Sequence, residues 1–254
     1  SELAQARRVA ERVGSDHNEL HVGQWDVVEL VERLVAVHDE PFGDAANIPL
    51  YLLCDQLGGS PKVVLQGDGG DEMFAGYRRY KVLARGAFPV WASRVARRPA
   101  SLLRAGGMFQ RISRFTTALG HPDPALRMAL LLTTETLEEN PTRLLGAPLR
   151  DELNRCDPFV EYRRAGKRFG HLDPVQRMLF TDATILLPNT FLEKVDKPTM
   201  AHSIEVRVPF LDDVLAPFAA GLPAHLKVRD GRTKWVLTQA LRGIVPDSVL
   251  DAPK

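Results

Sequence analysis

Val63-Val-Leu-Gln-Gly-Asp-Gly-Gly-Asp-Glu-Met-Phe-Ala-Gly-Tyr77 changes character within a few residues. The apolar run Val63-Val64-Leu65 gives way to a turn that carries Gly67, Gly69 and Gly70 together with Asp68, Asp71 and Glu72. That order predicts a strand feeding a polar loop. Glycines let backbone N–H groups approach a ligand without a Cβ in the way, and carboxylates clustered at a strand's carboxyl end suit Mg²⁺ or a general base. Three carboxylates so close together repel one another, so a cation is expected to offset them. Met73, Phe74 and Tyr77 fall at one-turn spacing and predict a short helix, with Asp71 and Glu72 near its positive end. Taken alone, such a loop is equally an ordinary tight turn capping a helix.

Upstream, Leu3, Ala6, Val9, Ala10 and Val13 form an apolar stripe at helical spacing that Gly14 ends. His17 to Val22 is a short candidate strand, and Val27, Leu30, Val31, Leu34 and Val35 mark a second helix. Asp39-Glu-Pro-Phe-Gly-Asp44 is a polar break, and Ile48 to Leu57 is expected to be helical. Alternating α and β elements over residues 1–80 predict an α/β core with a parallel sheet, and residues 81–254 read as a predominantly helical remainder.

At 254 residues and 44% hydrophobic content the chain is long enough for a large core, and its formal charge of +1 gives no global field for nucleic acid or membrane. Cys54 and Cys156 are too few for a disulfide framework and lack metal-site spacing, which predicts a reducing, cytoplasmic setting. No apolar run reaches the length of a transmembrane helix. The start at Ser1, directly in a helical pattern, and the end at Pro253-Lys254 are expected of a fragment, a processed chain or a truncated one.

Local charge is uneven. No Asp or Glu lies between Met73 and Pro122, a window that holds Arg78, Arg79, Lys81, Arg85 and further arginines up to Arg114, with Phe88, Trp91, Phe109 and Phe115 among them. Such a stretch can grip nucleic acid, an acidic partner or an anionic membrane, and it is more commonly a solvated helical face. Asp182 lies on the apolar face of a helix over Pro174–Leu187, either as a buried carboxylate aimed at a pocket or, the commoner use, as a cap on a neighbouring helix. Leu187 to Asp212 reads as a helix broken near Pro198, a second short helix, an extended Val206-Arg-Val-Pro piece and Asp212 as an N-cap. His202 within it is assigned a structural hydrogen-bonding role. Near the end a helix is expected from about Thr233, placing Lys234 in its first turn, where a cation is unfavourable unless it reaches an anion.

Taken together, Leu65-Gln-Gly-Asp-Gly-Gly-Asp-Glu-Met-Phe-Ala-Gly-Tyr-Arg-Arg-Tyr80, Asp39-Glu-Pro41, Lys194-Val-Asp196, Met200 to Asp212 and Lys234-Trp-Val-Leu237 resemble the synthetase domain of glutamine-hydrolysing asparagine synthetases, in family order along the chain. The resemblance implies an adenine-nucleotide α-hydrolase-like fold of the PP-loop ATP-pyrophosphatase type. It implies adenylation of an aspartate carboxylate by ATP with Mg²⁺, release of pyrophosphate, and amidation by ammonia from a glutaminase domain that these residues do not include. It places Gln66 and Gly67 beside AMP, Asp68 at substrate or a proton, Asp71 on Mg²⁺-pyrophosphate and Lys234 on the phosphates. Gly69, Gly70 and Glu72 are further candidates for substrate or pyrophosphate contact.

Two departures accompany the resemblance. Gln66 stands where family members usually carry Ser, and the Ser-Gly-Gly-x-Asp-Ser loop expected before the first helix is not among these residues. The chain alone is therefore expected to be inactive as a ligase. An uncovered strand edge would favour a partner, a homo-oligomer among them. Two other readings remain: a ligase that amidates another carboxylate in a natural product, peptide or polysaccharide, and a non-catalytic module that grips RNA or an anionic surface through the Arg-rich stretch.

Overall fold

The computed structural model describes residues 2–21, 26–40, 42–58, 60–84, 118–132, 146–153, 155–157 and 159–252. They fall into two compact units, one of Ser1–Gly76 with Leu186–Lys254 and the other of Tyr77–Ile185.

The first unit opens with α1 (Glu2–Val13), ended by Gly14 at φ +70°. α2 (Val27–His38) is capped by Asp26, whose carboxylate accepts from Val28 N at 2.8 Å and Glu29 N at 3.3 Å. The helix stops where Asp39 turns left-handed, at φ 57°. α3 (Asn47–Leu57) follows, and Leu30 and Leu34 of α2 bury themselves against Tyr51 and Leu52 of α3. This is the i, i+4 apolar stripe of the sequence forming a helix–helix core.

β1 (Val63–Leu65) pairs in parallel with β2 (Glu205–Arg207), Val64 standing opposite Val206. Gln66 N donates to Arg207 O at 3.0 Å and carries the pairing one residue past β1. Among the described residues this two-stranded parallel pair is the sheet. His17–His21 form no strand. Leu20 is the lone large apolar side chain there, and Glu19 turns instead to Arg7 of α1 at 2.8 Å, so the segment is a link pinned by an ion pair. After β1 comes α4 (Gly70–Phe74), shorter than its apolar spacing predicted because Ala75, at φ 59°, turns the chain before Tyr77.

The second unit contains α5 (Arg78–Ala84), α6 (Pro124–Leu132), α7 (Ala147–Leu153), α8 (Val160–Arg168) and α9 (Pro174–Thr181). α9 starts at Asp173, whose side chain accepts from Val175 N and Gln176 N, with Pro174 in the first turn where its missing N–H costs nothing. Asp182–Leu192 then winds as a π-helix. Most of the Arg-rich stretch, Arg85 to Arg114, lies outside the described residues.

Returning to the first unit, α10 (Glu193–Ala201) runs straight through Pro198, where a break was expected. The one backbone bond forfeited there is offset by burial of the proline ring between Val195 and Thr199, on the face that packs against α3. No second short helix follows; the chain turns at His202-Ser203 and enters β2. His202 Nδ1–H donates to Pro198 O at 2.8 Å, and its ring meets Tyr51 edge-on at 4.8 Å. A single helical turn over Pro209–Leu211 leads to α11 (Leu215–Gly221), where the Asp212 carboxylate accepts from Val214 N and Leu215 N. α12 (Ala224–Lys227), α13 (Trp235–Ala240) and α14 (Asp247–Leu250) complete the unit. Among the described residues no helix is long and apolar enough to cross a membrane.

Candidate active site

The loop after β1 is built on packing as much as on polarity. Gly69 sits at φ +81°, and a Cβ on it would come within 2.5 Å of Leu211 Cδ2. A Cβ on Gly70 would press Phe210 at 3.2 Å, and the Phe210 ring meets Phe74 of α4 edge-on at 5.9 Å. The Pro209-Phe-Leu211 turn that follows β2 therefore clamps the glycine loop, and the two parallel strands deliver the two halves of the clamp to one place. Gly69 and Gly70 are buried, and Gly67 is exposed.

Two of the candidate charges meet directly. Lys234 Nζ lies 2.7 Å from Asp71 Oδ1, with the Lys234 side chain 30% exposed and that of Asp71 25% exposed. Lys234 is not in the first turn of its helix; it precedes α13 in the left-handed conformation, φ 51°. A non-glycine residue there is uncommon, and the turn swings the side chain back toward the loop after β1. Asp71, in the first turn of α4, is thereby neutralised from outside its own helix.

Gly76 makes that contact possible. A Cβ at this position would fall on Asp71 Oδ1 and against Lys234 Cε, so the ion pair occupies the space that any larger residue would fill. Gly76 N also donates to Asp71 O at 2.9 Å, which holds the turn against the pair. The sequence pattern singled out Gly67, Gly69 and Gly70 for ligand approach. Gly76, Phe210 and Leu211 were not among the site residues, because nothing in local spacing says which glycine faces which side chain across the fold.

Asp68 stands apart from this pair. Its Oδ2 is buried without a hydrogen-bond partner. Burial pushes its carboxyl above the ordinary value; Lys194 draws it down and Asp71 pushes it further up. Lys194 itself is held at 3.1 Å by Asp44 and lies over the Phe191 ring at 4.9 Å. The cationic offset expected for the acidic loop is thus divided: Lys234 contacts Asp71, and Lys194 acts on Asp68 through space. Gln66 is half-buried at the end of the strand pairing, and Glu72 is buried within α4.

Among the described residues no three His, Cys, Asp or Glu side chains converge as a metal cage. A Mg²⁺ ion needs none, since it takes one or two carboxylates and completes its octahedron with water and phosphate oxygens. The orphaned Asp68 oxygen beside Asp71 fits that demand.

The sequence profile described as asparagine synthase matches residues 1–254. The chain belongs to the asparagine synthase family. Its architecture is accordingly the adenine-nucleotide α-hydrolase-like α/β fold, with a partial parallel sheet and a predominantly helical remainder. It is 28% identical over 262 residues to asparagine synthetase [glutamine-hydrolyzing] 1 of Bacillus subtilis, a match covering 100% of this chain and 39% of that protein. It is 34% identical over 270 residues to a putative asparagine synthetase [glutamine-hydrolyzing] of Mycobacterium bovis, covering 100% of this chain and 38% of the relative. A putative asparagine synthetase [glutamine-hydrolyzing] 2 of Methanocaldococcus jannaschii is 38% identical over 63 residues, 25% of this chain. The chain therefore spans less than half the length of the relatives it matches from end to end.

Proposed function

We propose that these residues form the synthetase part of an ATP-dependent amide ligase that activates a carboxylate, that of aspartate first, and passes its acyl group to ammonia. The observation that carries the reading is the Asp71–Lys234 contact at 2.7 Å on the glycine loop after a parallel strand, in a chain of the asparagine synthase family. A fixed ammonium beside a carboxylate is suited to a triphosphate that arrives with its own cation.

In this reading Lys234 faces the phosphates and stabilises charge that develops as the carboxylate oxygen bonds to the α-phosphorus and the bond to pyrophosphate breaks. Asp71, with Asp68 at its side, would hold Mg²⁺, which supplies charge neutralisation at the pyrophosphate. Gln66 and Gly67, at the end of β1, would lie against the AMP moiety. The Asp68 oxygen that lacks a partner would orient the substrate or take a proton from the incoming ammonia. Leu211 and Phe210 hold the backbone of this loop in place for all of these roles. The names of the relatives support glutamine as the nitrogen source, through a glutaminase domain in the full-length polypeptide.

Exchange of radiolabelled pyrophosphate into ATP, measured on the full-length polypeptide with Mg²⁺ and a panel of carboxylic acids, tests the proposal. Exchange that depends on aspartate is the expected result. Exchange that depends on another carboxylate would keep the chemistry and replace the acceptor, and no exchange with any acid would overturn the reading.

A further inference from the structure

Lys194 stands in the first turn of α10, where the helix dipole disfavours a cation. Its ammonium is nonetheless fixed: Asp44 Oδ2 accepts from it at 3.1 Å, and the Phe191 ring lies 4.9 Å away. Asp44 is itself held, its other oxygen accepting from Ala46 N at 2.9 Å. The Lys194 side chain is 13% exposed, so the ammonium is neither freely hydrated nor sealed off. An ammonium carries three donors, and among the described residues Asp44 is the one hydrogen-bond acceptor that Lys194 has. Donors are left over.

This end of α10 lies beside the glycine loop. Leu192, Glu193 and Val195 share a cleft of about 360 Å³ with Val206 and Val208, and β2, which carries Val206, pairs with β1 just before Asp68. Asp68 feels the Lys194 charge without a hydrogen bond to it, and its Oδ2 is buried without a partner. Lys234, the other lysine of the site, is already joined to Asp71.

A lysine with donors to spare and a carboxylate with an unused oxygen, near each other and not joined, complement a group that carries both charges in the opposite order. The head of an α-amino acid is such a group. Its carboxylate answers Lys194 and its ammonium answers Asp68. A lone anion would be drawn to Lys194 and repelled by Asp68, and a lone cation would meet the reverse, so neither fits as well as the two together.

We propose that Lys194, held by Asp44, is the residue that selects the acid: it binds the α-carboxylate of the incoming amino acid while Asp68 receives the α-ammonium, which leaves the side-chain carboxylate to be activated. The inference rests on the ligase reading and narrows its acceptor to α-amino acids that carry a second carboxylate.

Pyrophosphate exchange on the full-length polypeptide tests it with aspartate, with β-alanine, which is aspartate without its α-carboxylate, and with succinate, which is aspartate without its ammonium group. Wild type is expected to favour aspartate over each by about tenfold or more, chiefly through KM. Lys194→Met is expected to lose the preference over β-alanine while keeping that over succinate, a split that general damage to the fold would not produce, and Lys194→Arg to keep most of both. Equal use of aspartate and β-alanine by wild type, or a Lys194→Met enzyme that still prefers aspartate to β-alanine, would overturn the assignment and leave the ligase reading standing. No exchange with any acid would remove both. Lys194→Gln answers the same question if Lys194→Met does not fold.

Discussion

Asp71 and Lys234 lie far apart in the sequence and meet at 2.7 Å, across a gap that exists because residue 76 has no side chain. The pair is half-exposed at most and its members are directed at each other, so an anionic ligand that draws on Lys234 competes with Asp71 for it, and a ligand that brings its own cation eases that competition. That coupling is what a magnesium–nucleotide complex would supply.

Gly76→Ala is the sharpest test of the pair. The added methyl group displaces side-chain ends, Asp71 Oδ1 and Lys234 Cε, so the fold has room to respond by parting the two charges. Pyrophosphate exchange in the full-length polypeptide is expected to fall about a hundredfold, with a stability loss near 1 kcal/mol. An alanine variant that exchanges at the wild-type rate would show that the contact has no part in catalysis.

Lys234 tests charge against shape. Lys234→Met removes the ammonium and is expected to lower the exchange rate by about two to three orders of magnitude. Lys234→Arg keeps the charge but sets a planar fork where a point charge threads past Gly70 and Gly76, so it is expected to recover little of the loss. Full activity of the arginine variant would mean that the narrow slot around Lys234 Nζ is irrelevant.

Asp68 gives a pH signature. Its folded carboxyl is raised by burial, so the native state holds that proton more tightly than the unfolded chain does; between the two values the unfolded state binds fewer protons and stability falls as pH rises. Asp68→Asn removes this penalty. The ligand-free variant is expected to melt higher than wild type at neutral pH, to lose that advantage as pH falls from the raised value of Asp68 to the ordinary Asp value, and to be inactive in exchange. Melting curves that stay parallel across pH would rule out the buried charge as the cause.

Much of this site was legible because its signals are local. Val63-Val-Leu65 followed by glycines and acids became β1 and its loop, and Gly14 ended α1 as its lack of a Cβ allows. What escaped is what depends on distant residues. Pro198 was read as a break because a proline forfeits a helix bond, yet the packing of α10 against α3 outweighs that loss. Lys234 was placed in a helical turn because the pattern of Trp235-Val-Leu237 continues backwards through it, whereas it precedes the helix at a positive φ that turns its side chain to Asp71. Gly76 carried no mark at all, since its importance comes from Lys234, distant in sequence, meeting Asp71 in the space beside it.

Asp182 joins both lessons, having been read as either a pocket carboxylate or a cap. It is fully buried in the second unit, where Arg79 Nη2 donates to its Oδ2 at 2.7 Å and the Tyr80 hydroxyl donates to the same oxygen. Burial works against the Arg79 charge, but the Asp182 carboxylate together with Tyr80 and Tyr77 outweighs it, and the guanidinium is held above its ordinary value; it also lies over the Tyr77 ring at 4.0 Å. Burial and the same carboxylate push the Tyr162 hydroxyl up as well. Two basic residues that composition assigned to an Arg-rich stretch thus have different fates, Arg78 being exposed and Arg79 anchoring α5 to the end of α9. Asp182→Asn would leave Arg79 charged and buried without its counter-ion, at a cost of about 3 kcal/mol. Tyr80→Phe removes one donor and is expected to cost about 1.5 kcal/mol. Because both changes act on one oxygen, the double variant should fall short of their sum. Equilibrium unfolding of the three variants measures this, with strict additivity as the result that would show Arg79 and Tyr80 to act on Asp182 independently.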